Sequence, residues 1–216
     1  VSAADGTDSG EFATGAGAAA NPRERVDWTA GRWTTPPAEV RTDGDDLLVT
    51  AVEGSDAWRT TSYGFVHDTE HALLTPFEPD TAVEVSFVAE LDEQFDQAGV
   101  FVRAAEDRWV KAGLELSDEE LQLGAVVTAP MSDWSVAPVP TWRGRRVTIR
   151  ASWAGDALTL RARVDDEPFR LVRVLPFTPP ADAAVAAGPF ACAPTRAGLT
   201  VRFLSWATTA ADASLH

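Results

Sequence analysis

RRVTIRASWAGDALTLRARV, residues Arg145 to Val164, alternates with a period of two on both sides of a Gly-Asp pair. Val147, Ile149, Ala151 and Trp153 fall on one side of the chain; Arg146, Thr148, Arg150 and Ser152 fall on the other. A helix would need apolar residues three and four apart, whereas this spacing suits an antiparallel strand with one buried face. Beyond Gly155-Asp156, Leu158, Leu160, Ala162 and Val164 alternate with Thr159, Arg161 and Arg163, so the stretch reads as a β-hairpin closed by a tight turn.

The same period extends outward. Val83, Val85, Phe87 and Ala89 alternate with polar residues over Thr81 to Glu90, and Asp165-Asp166-Glu167-Pro168 turns the chain into a strand over Phe169 to Leu175. Further strands are predicted at Asp46 to Val52, Trp58 to Phe65, Gln97 to Ala104, Arg108 to Leu116, Glu120 to Thr128, Ser132 to Pro138, Val185 to Phe190 and Leu199 to Ala207. So many strands joined by short polar turns predict an all-β fold, a sandwich or jelly roll of two antiparallel sheets. Its expected core includes Trp28, Val85, Phe87, Val100, Leu114, Ile149 and Leu160.

The chain has 216 residues, 45% of them hydrophobic and 24% charged, enough for one packed core without covalent staples. Its single cysteine, Cys192, excludes an internal disulfide and reads as a small buried apolar group. Acidic residues outnumber basic ones 33 to 18, a formal net charge of −15, and only Lys111 among the basic residues is not arginine. Such a field repels nucleic acid and anionic membrane surfaces, so neither is expected as a partner. Residues 1–22 are rich in Gly, Ala, Ser and Asp and have almost nothing to bury, which predicts a disordered tail ahead of a domain over 23–210. That stretch lacks the charged and apolar regions of a targeting signal and no long apolar run follows, so a cytoplasmic location is expected.

Phosphate loops, nucleophile elbows and zinc-protease motifs are absent from the sequence. His67 and His71 stand four apart in HDTEH, but the stretch reads as a turn, where helical ligand geometry is not secured; no metal and no cofactor are expected. The informative segment is QAGVFVRAAEDRWVKAGLE, Gln97 to Glu115, a predicted hairpin with two unlike faces. Ala98, Val100, Val102, Val110, Ala112 and Leu114 form the apolar one. Gln97, Gly99, Phe101, Arg103, Trp109, Lys111, Gly113 and Glu115 form the other, which is either a ligand platform kept open by glycines or a solvated face with cross-strand salt bridges. On the first reading Lys111 and Glu115 point into a cleft and hold each other ionised, and replacing either would abolish ligand binding while sparing the fold.

Several blocks carry a resemblance: DAWRTTSYGFVHD (Asp56 to Asp68), FDQAGVFVR (Phe95 to Arg103), RWVKAGLE (Arg108 to Glu115), AVVTAPMSDWSV (Ala125 to Val136) and AAGPFACAP (Ala186 to Pro194). In order and spacing they resemble the regulation-of-enolase family of concanavalin A-like jelly-roll domains. The resemblance implies a bent sheet whose concave face takes a saccharide or another small polar ligand, and a metabolic enzyme as a protein partner. Residues of these blocks that would line the face are Trp58, Tyr63, Gln97, Arg103, Trp109, Asp133 and Trp134, with Lys111 and Glu115 as candidate catalytic groups. Tryptophan rings would stack on sugar C–H faces while the polar groups bond hydroxyls. Two classes of function stay open: a binding or regulatory module, and a glycosidase, lyase or isomerase in which Glu115 is the acid or base and Lys111 tunes it.

Overall fold

Each long alternating stretch is a strand in the computed structural model, which describes residues 23–215. The tail expected over residues 1–22 lies outside the described residues. In chain order the strands are β1 (Glu24–Arg25), β2 (Arg32–Trp33), β3 (Glu39–Asp43), β4 (Asp46–Thr50), β5 (Ala57–Arg59), β6 (Val66–Asp68), β7 (His71–Pro76), β8 (Thr81–Val88), β9 (Gln97–Ala105), β10 (Arg108–Ser117), β11 (Glu120–Thr128), β12 (Ser132–Pro138), β13 (Arg146–Ala154), β14 (Ala157–Val164), β15 (Arg170–Pro176), β16 (Ala186–Cys192) and β17 (Thr200–Ala210). One sheet runs β15-β14-β13-β8-β17-β4-β3, with β1 added to β17; the other runs β12-β11-β10-β9-β16-β7-β2. All strand pairs are antiparallel, and β5 and β6 form a separate small hairpin. The fold is a two-sheet antiparallel sandwich. No helix among the described residues is long and apolar enough to cross a membrane.

Alternation decides what lies between the sheets. Val85, Phe87, Ile149 and Leu160 from the first sheet meet Val100 and Leu114 from the second in one continuous core, each at most 1% exposed. The outward-facing arginines of the first sheet are not idle. Arg150 holds Glu84 at 2.8 Å and Asp212 at 2.9 Å, and Arg161 holds the other oxygen of Asp212 at 2.9 Å, which fastens the segment after β17 across the sheet.

Three expectations differ from what the fold shows. Trp28 is only half-buried: it stacks on Trp206 at 6.2 Å between ring centroids and donates its indole N–H to the Asp45 carbonyl, so it caps the core rather than filling it. Trp58 to Phe65 is not one strand, because Thr60 (φ 62°), Ser62 (φ 62°) and Gly64 (φ 76°) bend the chain through left-handed conformations into the β5–β6 turn. HDTEH is not wholly a turn, for His71 opens β7. Buried there, its ring accepts from the Val52 N–H through Nε2 and donates through Nδ1 to the Thr35 carbonyl, and burial holds its pKa below the usual histidine value.

Candidate functional site

The candidate site lies on the outer face of the seven-stranded sheet, and register assembles it. Glu115 on β10 stands beside Gln97 on β9, which stands beside Cys192 on β16; two residues along, Gly113 stands beside Gly99, and Gly99 beside Phe190; two further, Lys111 stands beside Phe101. Residues two apart on a strand share a face, so all of these project to one side.

That face is not an open platform. Phe101, Trp109, Val126, Phe190 and Cys192 pack with Ala57, Ala72 and Leu74 into a second, smaller core, on which the β5–β6 hairpin lies through Ala57 and Trp58. Phe101 and Trp109 stack at 5.3 Å. A polar cluster is enclosed beside this core. Lys111 is 4% exposed; its ammonium donates to Gln97 Oε1 at 2.7 Å and to Asp56 Oδ1 at 3.0 Å, and Gln97 Nε2 donates to the same Asp56 oxygen at 3.3 Å. Burial would push both charged groups toward their neutral forms. The opposite charges and hydrogen bonds outweigh it, holding the Asp56 carboxyl below the usual range and the Lys111 ammonium above it.

Glu115 is treated differently. Its carboxylate makes no hydrogen bond or ion pair among the described residues. Burial pushes its pKa up to about 7, with the Asp56 charge adding to the rise and the Lys111 charge opposing it. The ion pair anticipated between Lys111 and Glu115 is therefore replaced by one between Lys111 and Asp56, and Glu115 is left with a proton it exchanges near neutrality.

Over this floor opens a cavity of about 370 Å3. Its rim is aromatic: Trp58 meets Trp134 edge-on at 6.4 Å and Tyr63 at 5.7 Å, Tyr63 stacks on Phe65 at 5.3 Å, and Phe65 meets His67 at 4.6 Å. Tyr63 is 62% exposed, Phe65 42% and Trp134 38%, an apolar cost that a soluble surface does not need. The Trp58 indole N–H holds the turn by donating to the Thr61 carbonyl at 2.9 Å. Phe95, a bulky residue that also lines the cavity, adopts φ 66°. Left-handed backbone at Thr60, Ser62 and Phe95 is costly for side chains of these kinds.

Of the residues singled out from sequence, Trp58, Tyr63, Gln97, Lys111, Glu115 and Trp134 meet at this cavity. Trp109 lies in the small core beneath. Asp133 faces away from Trp134 and pairs with Arg173 of β15 at 3.0 Å, linking the two sheets at their edge. Arg103 stands at the far end of the face. Sequence reasoning missed Asp56, Phe65, His67 and Phe95 as lining residues. Three of them sit in the block from Asp56 to Asp68, but nothing in the period of that block marks a hairpin folded back over a sheet.

The glycines on this face serve close approach. A Cβ on Gly113 would lie 2.1 Å from the Ala98 carbonyl oxygen and 2.8 Å from Gly99 Cα. Gly113→Ala is expected to force β9 and β10 apart at a cost of about 1–3 kcal/mol, measured by chemical denaturation.

The comparisons with known proteins agree with this architecture. The chain is 33% identical over 187 residues, 87% of its length and 93% of the relative's, to Regulation of enolase protein 1 of Saccharomyces cerevisiae. It superposes with a TM-score of 0.79 on the crystal structure of a functionally unknown protein from Saccharomyces cerevisiae, at 32% identity over 86% of this chain and 98% of that one. A xylan β-1,4-xylosidase from Bacillus halodurans shares the fold at 13% identity and a TM-score of 0.66, over 86% of this chain but 38% of the enzyme. Residues 33–211 match the model of one family, and the chain belongs to it: Protein of unknown function (DUF1349).

Proposed function

We propose that the cavity binds a small polar ligand of carbohydrate type, with the aromatic rim covering its C–H faces and the polar floor bonding its hydroxyls. The observation that carries this reading is the joining of exposed aromatic rings to a carboxyl group with no hydrogen bond or ion pair among the described residues, over an ion pair that is already satisfied. Sugars present both an apolar face and a hydroxyl edge, so one wall of each kind suits them. A calorimetric and thermal-shift screen of sugars and sugar phosphates tests it. Tyr63→Ala and Trp134→Ala, both exposed, should weaken a saccharide found in that screen by about tenfold while leaving the fold unchanged. Binding undiminished in both variants would place the ligand elsewhere.

A second reading, catalysis on such a ligand, is favoured by Glu115 alone: a carboxyl titrating near 7 is matched to give and take a proton at neutral pH. Turnover with the same ligand, lost in Glu115→Gln, would separate the two. The name of the yeast relative supports a metabolic enzyme, enolase, as a protein partner. Enolase turnover measured with and without the purified chain tests that part.

Glu115 also predicts how stability depends on pH. Its pKa rises from an ordinary 4.5 to about 7 on folding. The folded state thus binds the proton more tightly, so the group's contribution is whole below pH 4.5 and lost as pH rises through 7. Glu115→Gln should match the wild type in acid and exceed it above neutrality by on the order of 2–3 kcal/mol, read from melting curves across pH.

A further inference from the structure

A second depression, of about 860 Å3, lies at the end of the sandwich away from the aromatic rim, where the outer face of the seven-stranded sheet turns over its edge toward Trp33, Phe77 and, from the other sheet, Trp153. Register shows how it is built. Arg103 on β9 stands beside Ala186 on β16, Ala186 stands beside Pro76 on β7, and Leu74, two residues back along β7, stands beside Arg32 on β2. Arg32 and Arg103 therefore project to the same side from strands three places apart and two residues out of step, about 16 Å at the usual strand dimensions, over a floor that includes Leu74, Pro76 and Ala186. Trp33 and Pro180 contribute to its walls.

The charges there are unusual for this chain. Twelve of the seventeen arginines hold a carboxylate in an ion pair, and Arg163 lies over the Phe169 ring. Arg32 and Arg103 are two of the four that do neither among the described residues, in a protein with a large excess of acidic groups to offer. Among the described residues one carboxylate, Glu78, lines the depression. A second, Glu70, lies near enough for its charge and that of Arg103 to interact, without an ion pair between them; burial raises the pKa of Glu70.

We propose that this depression is an anion site, in which Arg32 and Arg103 clamp a small organic dianion, carboxylate or phosphate, whose apolar body lies against Trp33 and the prolines. Guanidinium groups suit both kinds of anion because their fork of donors matches the planar or tetrahedral oxygens in pairs. The Phe101, Trp109 and Leu74 side chains of the small core separate the site from the aromatic-rimmed cavity, so it stands independently of the carbohydrate reading.

The test is titration of the full chain with succinate, phenyl phosphate and pyrophosphate at about 10 mM, against sodium chloride of equal ionic strength. The readouts are melting temperature and the 15N-indole resonance of Trp33. At least one of the three anions should give a saturating shift that chloride does not, and the pattern among them separates a carboxylate from a phosphate ligand. Arg32→Gln and Arg103→Gln should each weaken that binding at least tenfold, whereas Glu115→Gln, at the other end of the face, should leave it unchanged. Arg32 is exposed and its replacement does not endanger the fold, so it decides the matter even if Arg103→Gln is unstable. The proposal is overturned if no anion exceeds chloride, or if the Arg32→Gln variant binds as the wild type does.

Discussion

Lys111→Met is expected to lower the stability of the protein by about 3–5 kcal/mol, because it removes one partner of a buried ion pair and leaves the other charged. Asp56 and Gln97 would both face an apolar side chain in place of the ammonium they now share. For a domain of this size the loss corresponds to a drop of on the order of 10 °C in melting temperature. Removing the carboxylate as well, in Lys111→Met with Asp56→Leu, should recover most of it, since two apolar side chains need no partner. If Lys111→Met melted within about 2 °C of the wild type, the ammonium would have to reach solvent and the enclosed floor described above would be wrong. The alternation of the hairpin alone led to the opposite expectation, that Lys111 could be replaced without harm to the fold.

Phe87→Ala is expected to be comparably damaging, at about 3–5 kcal/mol. Phe87 lies on β8 between Val147 of β13 and Phe203 of β17, is fully buried, and its ring meets that of Phe203 at 6.1 Å. No neighbour on a paired strand can move to fill the space without breaking its own ladder, so the cavity stays. Equilibrium unfolding in denaturant measures the loss. A cost below about 1 kcal/mol would mean that β8 presents its other face to the core.

The two variants mark where sequence is a sufficient guide. Phe87, Val85, Ile149 and Leu160 could be placed from period alone, because in a two-sheet sandwich the side that alternates apolar is the side that meets the opposing sheet. Strand order follows less directly. β8 separates β13 from β17 although more than fifty residues of chain divide it from either, and no local signal carries that pairing. β2, β3 and β7 escaped notice because two of them are short or exposed and the third opens at His71 directly after Glu70, two polar residues that the fold buries.

What sequence by itself determined was the all-β class, the hairpin from Gln97 to Glu115 and the identity of its two faces, since these depend only on a period of two between neighbouring residues. The blocks around Trp58, Lys111 and Trp134 also carried the family resemblance. Tertiary structure alone decided what covers the second face. The β5–β6 hairpin folds back over it, brings Asp56 to Lys111 across fifty-five positions of chain, and so makes a floor that is buried where a solvated or open face was expected. It also separated Glu115 from the lysine meant to pair with it. A contact between residues so far apart depends on how the sheets close and which loop crosses them; beneath that cover the partner charge keeps Asp56 and Lys111 ionised, while burial without such a partner raises the pKa of Glu115.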